Sequence, residues 1–318
     1  MKGTSMRLIQ LFMLILISAC HSVLADLEDC LKKIIDKSDG HQIRNVDFIY
    51  MINLDERPEK YQLSLEQLAP FKIFPYRFSA VNGWQLSLEA INDLGTKYES
   101  WMQGGGWATT YPIHGNGKAS HEIMQAIGEN YFCHCMPLGS IGIVLSHVSI
   151  LKDALDSGYE TVWVMEDDVE VIRNPHVLSD LIDELDGLVG KDGWDILFTD
   201  RDTKGMDGNY IPCFSYAIRP NFTPANPSKF MERSVVGSNF QKIGARYGAY
   251  SMIVRRSGMK KIFNFISNYQ IFLPFDMEYT LPPTIRLFTV LDDVVSTLPR
   301  ALSDNGVPNY KEKEKNNG

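Results

Sequence analysis

The chain has 318 residues, 44% hydrophobic and 22% charged, a composition that fits one large or two small globular domains and excludes disorder as its organising theme. A formal net charge of −8 argues against general nucleic-acid binding, and no Lys/Arg-rich stripe with interleaved aromatics offsets it. A nucleotide ligand would need local positive charge or a metal ion against this background.

In chain order, Lys2 and Arg7 precede an apolar run from Leu8 to Ile17, so residues 1–25 read as a leader. Val23-Leu24-Ala25 offers a cleavage site before Asp26, whereas Ile17-Ser18-Ala19-Cys20 resembles a lipoprotein box acylated at Cys20. The run is shorter than the ~18–20 apolar residues of a membrane-spanning helix. The expected location is a secretory lumen, the periplasm or a lipid-anchored surface, or the cytoplasmic face of a membrane if the segment stays uncleaved.

Residues 26–44 read as a connector helix, and Val46 to Leu54 (VDFIYMINL) as the first core strand of a domain spanning 45–300. Pro58 opens a helix to Leu68, and Ile73 to Val81 gives a second strand closed by Asn82-Gly83. Residues 90–137, with Gly104-Gly105-Gly106, Trp101 and Trp107, read as a long irregular insertion, either a binding segment or disordered. Gly139 to Asp156 is a helix, Val177 to Val189 another, and Trp194 to Phe198 a strand ending in Thr199-Asp200. A strand over Ala249–Val254, a helix over Gly258–Ser267 and a frayed polar tail over 301–318 complete the chain. Strands alternating with helices predict an α/β domain.

The most informative run is Tyr159 to Glu170 (YETVWVMEDDVE), where a buried-type strand ends in three consecutive carboxylates. Strand alternation would send Glu166 and Asp168 to one side and Asp167 to the other. Such a pair at the carboxyl end of a strand suits Mg or Mn together with substrate phosphates. An acidic turn or helix cap is the competing reading. Beyond Cys20, Cys30, Cys133, Cys135 and Cys213 allow three disulfide pairings. Cys133-His134-Cys135, near His114 and His121, invites zinc but lacks the usual two-residue spacer. Asn221-Phe222-Thr223 fits a glycosylation pattern, with Pro224 following.

Four blocks in order resemble glycosyltransferase family 25, with the likeness running from Asp47 to about Pro299. They are Ile49-Tyr50-Met51-Ile52-Asn53-Leu54-Asp55-Glu56-Arg57, then Phe78-Ser79-Ala80-Val81-Asn82-Gly83, then the G-x-x-G-x-x-x-S-H run from Gly139 to His147, then Val164-Met165-Glu166-Asp167-Asp168. Weaker echoes lie at Trp194-Asp195-Ile196-Leu197, Tyr247-Gly248-Ala249-Tyr250 and Leu273-Pro274-Phe275-Asp276. The chain departs from the family pattern at Asn82, at Ile143 and in its long insertion.

The resemblance implies a GT-A-like nucleotide-binding sandwich, a single mixed sheet flanked by helices. It also implies inverting transfer of a sugar, galactose being the family's commonest, from a UDP-sugar to a glycan or glycoprotein hydroxyl, as in lipopolysaccharide biosynthesis. Glu166 and Asp168, with Asp167 in reserve, would then hold Mn or Mg. Asn53, Leu54 and Arg57, with Ala80 and Val81, are placed for the donor, Arg57 pairing with phosphate. Ser146, His147 and Tyr250 join them, although His147 and Tyr250 also suit a core. Inversion needs a base. Asp276 follows an apolar Phe-Leu-Pro-Phe run that would raise its pKa, with a plain loop aspartate or a further metal ligand as alternatives, and Asp200 is the substitute. The main competing function is a catalytically inactive surface module binding carbohydrate or nucleotide, which the exported leader motivates. A metal-dependent phosphodiesterase or glycosidase is disfavoured, since no second acidic cluster of like strength is present.

Overall fold

The computed structural model describes residues 27–115 and 117–311, so the expected leader, Cys20 and the last seven residues lie outside the described residues. Eight strands form the central sheet: β1 Phe48–Asn53, β2 Tyr76–Ser79, β3 Thr161–Glu166, β4 Ile196–Phe198, β5 Arg233–Val236, β6 Phe240–Ile243, β7 Ser251–Arg255 and β8 Leu287–Val290. Their order across the sheet is β5-β6-β8-β4-β7-β3-β1-β2. β1 runs parallel to both β2 and β3, whereas β7 lies antiparallel to β3 and β4, so the sheet is mixed.

Alternation along each central strand feeds two separate cores, which is why these strands read as unbroken apolar runs rather than alternating ones. Phe48, Tyr50, Ile52, Val162 and Val164 face one layer, formed by helices α3 (Leu138–Asp156) and α5 (Arg256–Tyr269). Ile49, Met51, Trp163 and Met165 face the other, formed mainly by α4 (Val177–Val189) and the end of α1 (Pro58–Leu68). The short helices α2 (Leu88–Leu94) and α6 (Phe275–Glu278) complete the set used below.

α3 enters the molecule at the Val81-Asn82-Gly83 turn, and glycines set the approach. A Cβ on Gly142 would collide with Val81 O and Gly83 N, and one on Gly83 would collide with Leu138 O. Ser146 Oγ then locks the pair, accepting from Val81 N at 2.8 Å and donating to Gly142 O at 2.7 Å.

Three sequence expectations change. Residues 96–133 are not irregular throughout: strands Thr96–Lys97, Trp107–Thr110, Ser120–Ile123 and Asn130–Cys133 build a small antiparallel sheet. The 26–44 segment is helical only at Leu27–Asp29. Beyond that several of its polar groups bind distant partners, with Lys32 N on Ser149 Oγ at 3.0 Å and Asp39 Oδ2 on Ile49 N at 2.8 Å. The tail is not frayed over 303–310, which crosses the carboxyl ends of β1 and β2 and is held there by side-chain contacts described below.

Candidate functional site

The carboxyl ends of parallel strands β1, β2 and β3 form the floor of a cleft of about 660 Å³, counted open to solvent. This is where open α/β sheets place ligands. Leu54, Ala80, Val81, Ser146 and His147 line it together with all three carboxylates of the Glu166-Asp167-Asp168 run. β3 stops at Glu166 and Asp167-Asp168 form a turn, so alternation does not send Asp167 to the opposite face.

The three carboxylates differ in their partners. Glu166 Oε1 lies 3.3 Å from His147 Nε2, and the His147 ring stacks on Phe275 at 4.1 Å between centroids. Asp167 Oδ2 accepts from Asn53 Nδ2 at 2.6 Å, with Lys60 Nζ 3.9 Å from its other oxygen. Asp168 as a residue keeps some exposure, yet its Oδ1 is shut off from solvent and accepts no hydrogen bond. Burial, followed by the charges of Glu166 and Asp167, pushes its carboxyl up to about 7. Burial also raises Asp167, against the lowering effect of Lys60.

Among the described residues, no three His, Cys, Asp or Glu side chains already converge as a metal-ligand group. The donor set nonetheless fits a hard divalent cation: all-oxygen ligands, a desolvated carboxylate oxygen without a partner, and mutual repulsion that a cation would relieve. Glu166 and Asp168 are the residues that would hold it.

Glu166 also borders a second pocket of about 500 Å³, lined by Ser140, Gly248, Ala249, Tyr250 and Asp276. Asp276 sits in the first turn of α6, and its Oδ2 accepts from Gly248 N at 2.9 Å. Burial raises its carboxyl above the usual range, with Glu166 adding to the effect. Gly248 has φ +78°, a conformation that favours glycine and turns its N–H onto Asp276.

Several expected site residues stand behind the cleft. Asn53 is buried, donating to Arg57 O and Asp167 and accepting from Arg77 Nε, so it orients Asp167. Arg57 is buried and binds Asp304 Oδ1 at 2.9 Å through Nη1. Asp200 does not reach either pocket as a base would. It is fully buried and accepts from Arg246 Nη2 at 2.5 Å, Tyr250 OH at 2.8 Å and Ser296 Oγ at 2.8 Å. Tyr250 therefore anchors its phenol in that ion-paired network and offers only its ring toward the second pocket.

Residues the sequence did not single out complete the cleft. Lys60, in the first turn of α1, is its nearest cation. Ser303 and Asn305 roof both pockets, and Asp304 the first alone. Asp304 pairs with Arg57, lies 3.8 Å from Lys60 and accepts from Trp84 Nε1 at 3.0 Å through its carbonyl. Asn305 Oδ1 accepts from Ser140 Oγ at 2.5 Å, and Asn82 Nδ2 lies 3.0 Å from Tyr310 OH.

A mixed α/β sheet flanked by helices, with a carboxylate run at the end of a central strand and a divided cleft above it, places a candidate ligand site where open α/β sheets bind their ligands. Residues 46–278 match the family model for glycosyltransferase family 25 (LPS biosynthesis protein), and the chain belongs to that family. A glycosyltransferase 25 family member of Aedes aegypti is 26% identical over 176 residues, covering 55% of this chain and 24% of the relative. The human inactive glycosyltransferase 25 family member 3 is 24% identical over 180 residues, 54% of this chain and 26% of the relative. A further family member, from Anopheles gambiae, is 26% identical over 172 residues. The chain thus spans about a quarter of the length of these curated relatives.

Proposed function

We propose that the chain is a metal-dependent transferase of GT-A type that moves a sugar from a UDP-sugar to a hydroxyl of a glycan or glycoprotein, with inversion at the sugar carbon. The observation that carries this reading is the division of the cleft at Glu166. The partnerless Asp168 Oδ1 lies on one side and the half-buried Asp276 on the other.

The donor's nucleotide fits the first pocket, against Leu54, Ala80 and Val81, with Lys60 facing its phosphates. A bound Mn or Mg ion would supply charge neutralisation for the departing diphosphate. The acceptor fits the second pocket. Asp276, held by the Gly248 N–H and raised by burial, takes the proton from the attacking hydroxyl. His147, wedged between Phe275 and Glu166, fixes the carboxylate that separates donor from acceptor. Galactose is the sugar we propose, and an exported or membrane-associated location is the one we propose from the leader-like sequence of residues 1–25.

The test is calorimetric titration of UDP with and without Mn, followed by UDP release from several UDP-sugars. Mn-dependent binding with release supports the transferase. The second reading is a catalytically inactive module of the same fold, favoured by the inactive human relative and by Asp304 already sitting on Arg57 beside Lys60. Glycan binding without UDP binding would select it.

A further inference from the structure

Apart from the cleft, the most chemically loaded feature is the Cys133-His134-Cys135 turn that closes strand Asn130–Cys133. The two Sγ atoms lie 3.0 Å apart, and no zinc-type cluster forms around them among the described residues. The pair is asymmetric: Cys135 is exposed, whereas Cys133 is buried.

We propose that Cys133 and Cys135 form a thiol–disulfide exchange site, Cys135 attacking and Cys133 resolving, that takes a small-molecule disulfide of the glutathione class as its oxidant. The division of labour follows from access and from hydrogen bonding. Only Cys135 can meet an external disulfide, and a thiol–thiol contact stabilises a thiolate on whichever sulfur accepts. The Cys133 contact, against some burial and with help from His134, lowers Cys135 to about 6; Asp276 opposes the shift. The same contact, with burial and the nearby Glu278 charge, pushes the Cys133 thiol up.

The exchange balances in two steps. The Cys135 thiolate attacks one sulfur of R–S–S–R, forming a mixed disulfide and releasing one RS⁻. Cys133 then loses its proton to solvent and attacks Cys135 Sγ, closing the Cys133–Cys135 bond and releasing the second RS⁻. The protein loses two electrons and two protons, and the small disulfide is reduced to two thiols.

The site is tied to the cleft through backbone. Cys133 N donates to Phe272 O at 2.8 Å, on the segment that leads to Asp276. Met136 N donates to Cys133 O, and Pro137 then starts α3, whose Gly139, Ser140 and Ile143 line the pockets. Closing the bond would fix the geometry of this junction.

The test incubates the full chain with a graded ratio of reduced to oxidised glutathione and locates products by peptide mass spectrometry. The wild type is expected to accumulate the intrachain Cys133–Cys135 disulfide with little glutathione adduct. Cys133→Ala is expected to trap the adduct on Cys135, with the pH midpoint for Cys135 alkylation moving up from about 6. Cys135→Ala, a change at an exposed position that spares the core, is expected to leave Cys133 unmodified. The proposal is overturned if both thiols stay reduced in oxidised glutathione, if the wild type stops at a Cys135 adduct, or if Cys133 takes the adduct in Cys135→Ala.

Discussion

Asp168→Asn separates a cation site from an ordinary acidic turn. In the unfolded chain Asp168 ionises near 3.8, whereas in the fold burial and its two acidic neighbours hold the proton until about pH 7. Between those values the unfolded form releases a proton that the folded form keeps, so stability falls as pH rises and the deficit is complete above pH 7. At ~1.36 kcal/mol per pH unit the window is worth at most about 4 kcal/mol. Asparagine keeps the shape and removes the charge. In EDTA, the stability of the variant relative to wild type should therefore rise by as much as about 4 kcal/mol between pH 4 and pH 8. Mn should invert the ranking by stabilising the wild type alone, through binding to the folded form. Urea melts at both pH values, with EDTA or with Mn, read the effect. A stability difference that does not change with pH in EDTA, or an equal Mn-induced shift in both proteins, would refute the reasoning.

Three further outcomes test the rest of the site. Asp276→Asn should keep Mn-dependent UDP binding in calorimetry while acceptor-dependent UDP release falls by about 10²- to 10⁴-fold, the usual worth of a general base; undiminished release would remove Asp276 from that role. Lys60→Ala should weaken UDP binding by roughly tenfold, as expected for losing one charge-assisted contact, and an unchanged affinity would mean the ammonium does not face the phosphates. Arg246→Met leaves the Asp200 carboxylate buried without its ion pair, so it should cost about 3–5 kcal/mol in denaturant melts, yet UDP affinity of the folded fraction should hold because neither residue lines the donor pocket.

The central strands were legible because both their faces are covered, giving unbroken runs such as Thr161–Met165. The carboxylate cluster was legible for the same reason: it interrupts such a run. Its geometry was not, because alternation ends where β3 gives way to a turn at Asp167. Asp200 misled for a related reason. An aspartate after a strand looks like a ligand, and nothing local announces Arg246, whose guanidinium consumes it. The sheet within 96–133 rests on strands of two to four residues, too short to show a period. The closing segment 303–310 was hidden by its polar composition, since what holds it is a small number of contacts to residues far back in sequence, such as Arg57 with Asp304. Lys60 had a visible signal, a cation in the first turn of a helix that follows a strand.

Because the family match ends at residue 278 while Ser303, Asp304 and Asn305 roof the cleft, part of the ligand chamber is built from sequence outside the matched segment. An expression boundary drawn at the edge of the family match would remove that roof and expose the Arg57 guanidinium, although every catalytic candidate would remain. The same cut would remove the Tyr310 hydroxyl, 3.0 Å from the Nδ2 of Asn82, a residue that lines the first pocket.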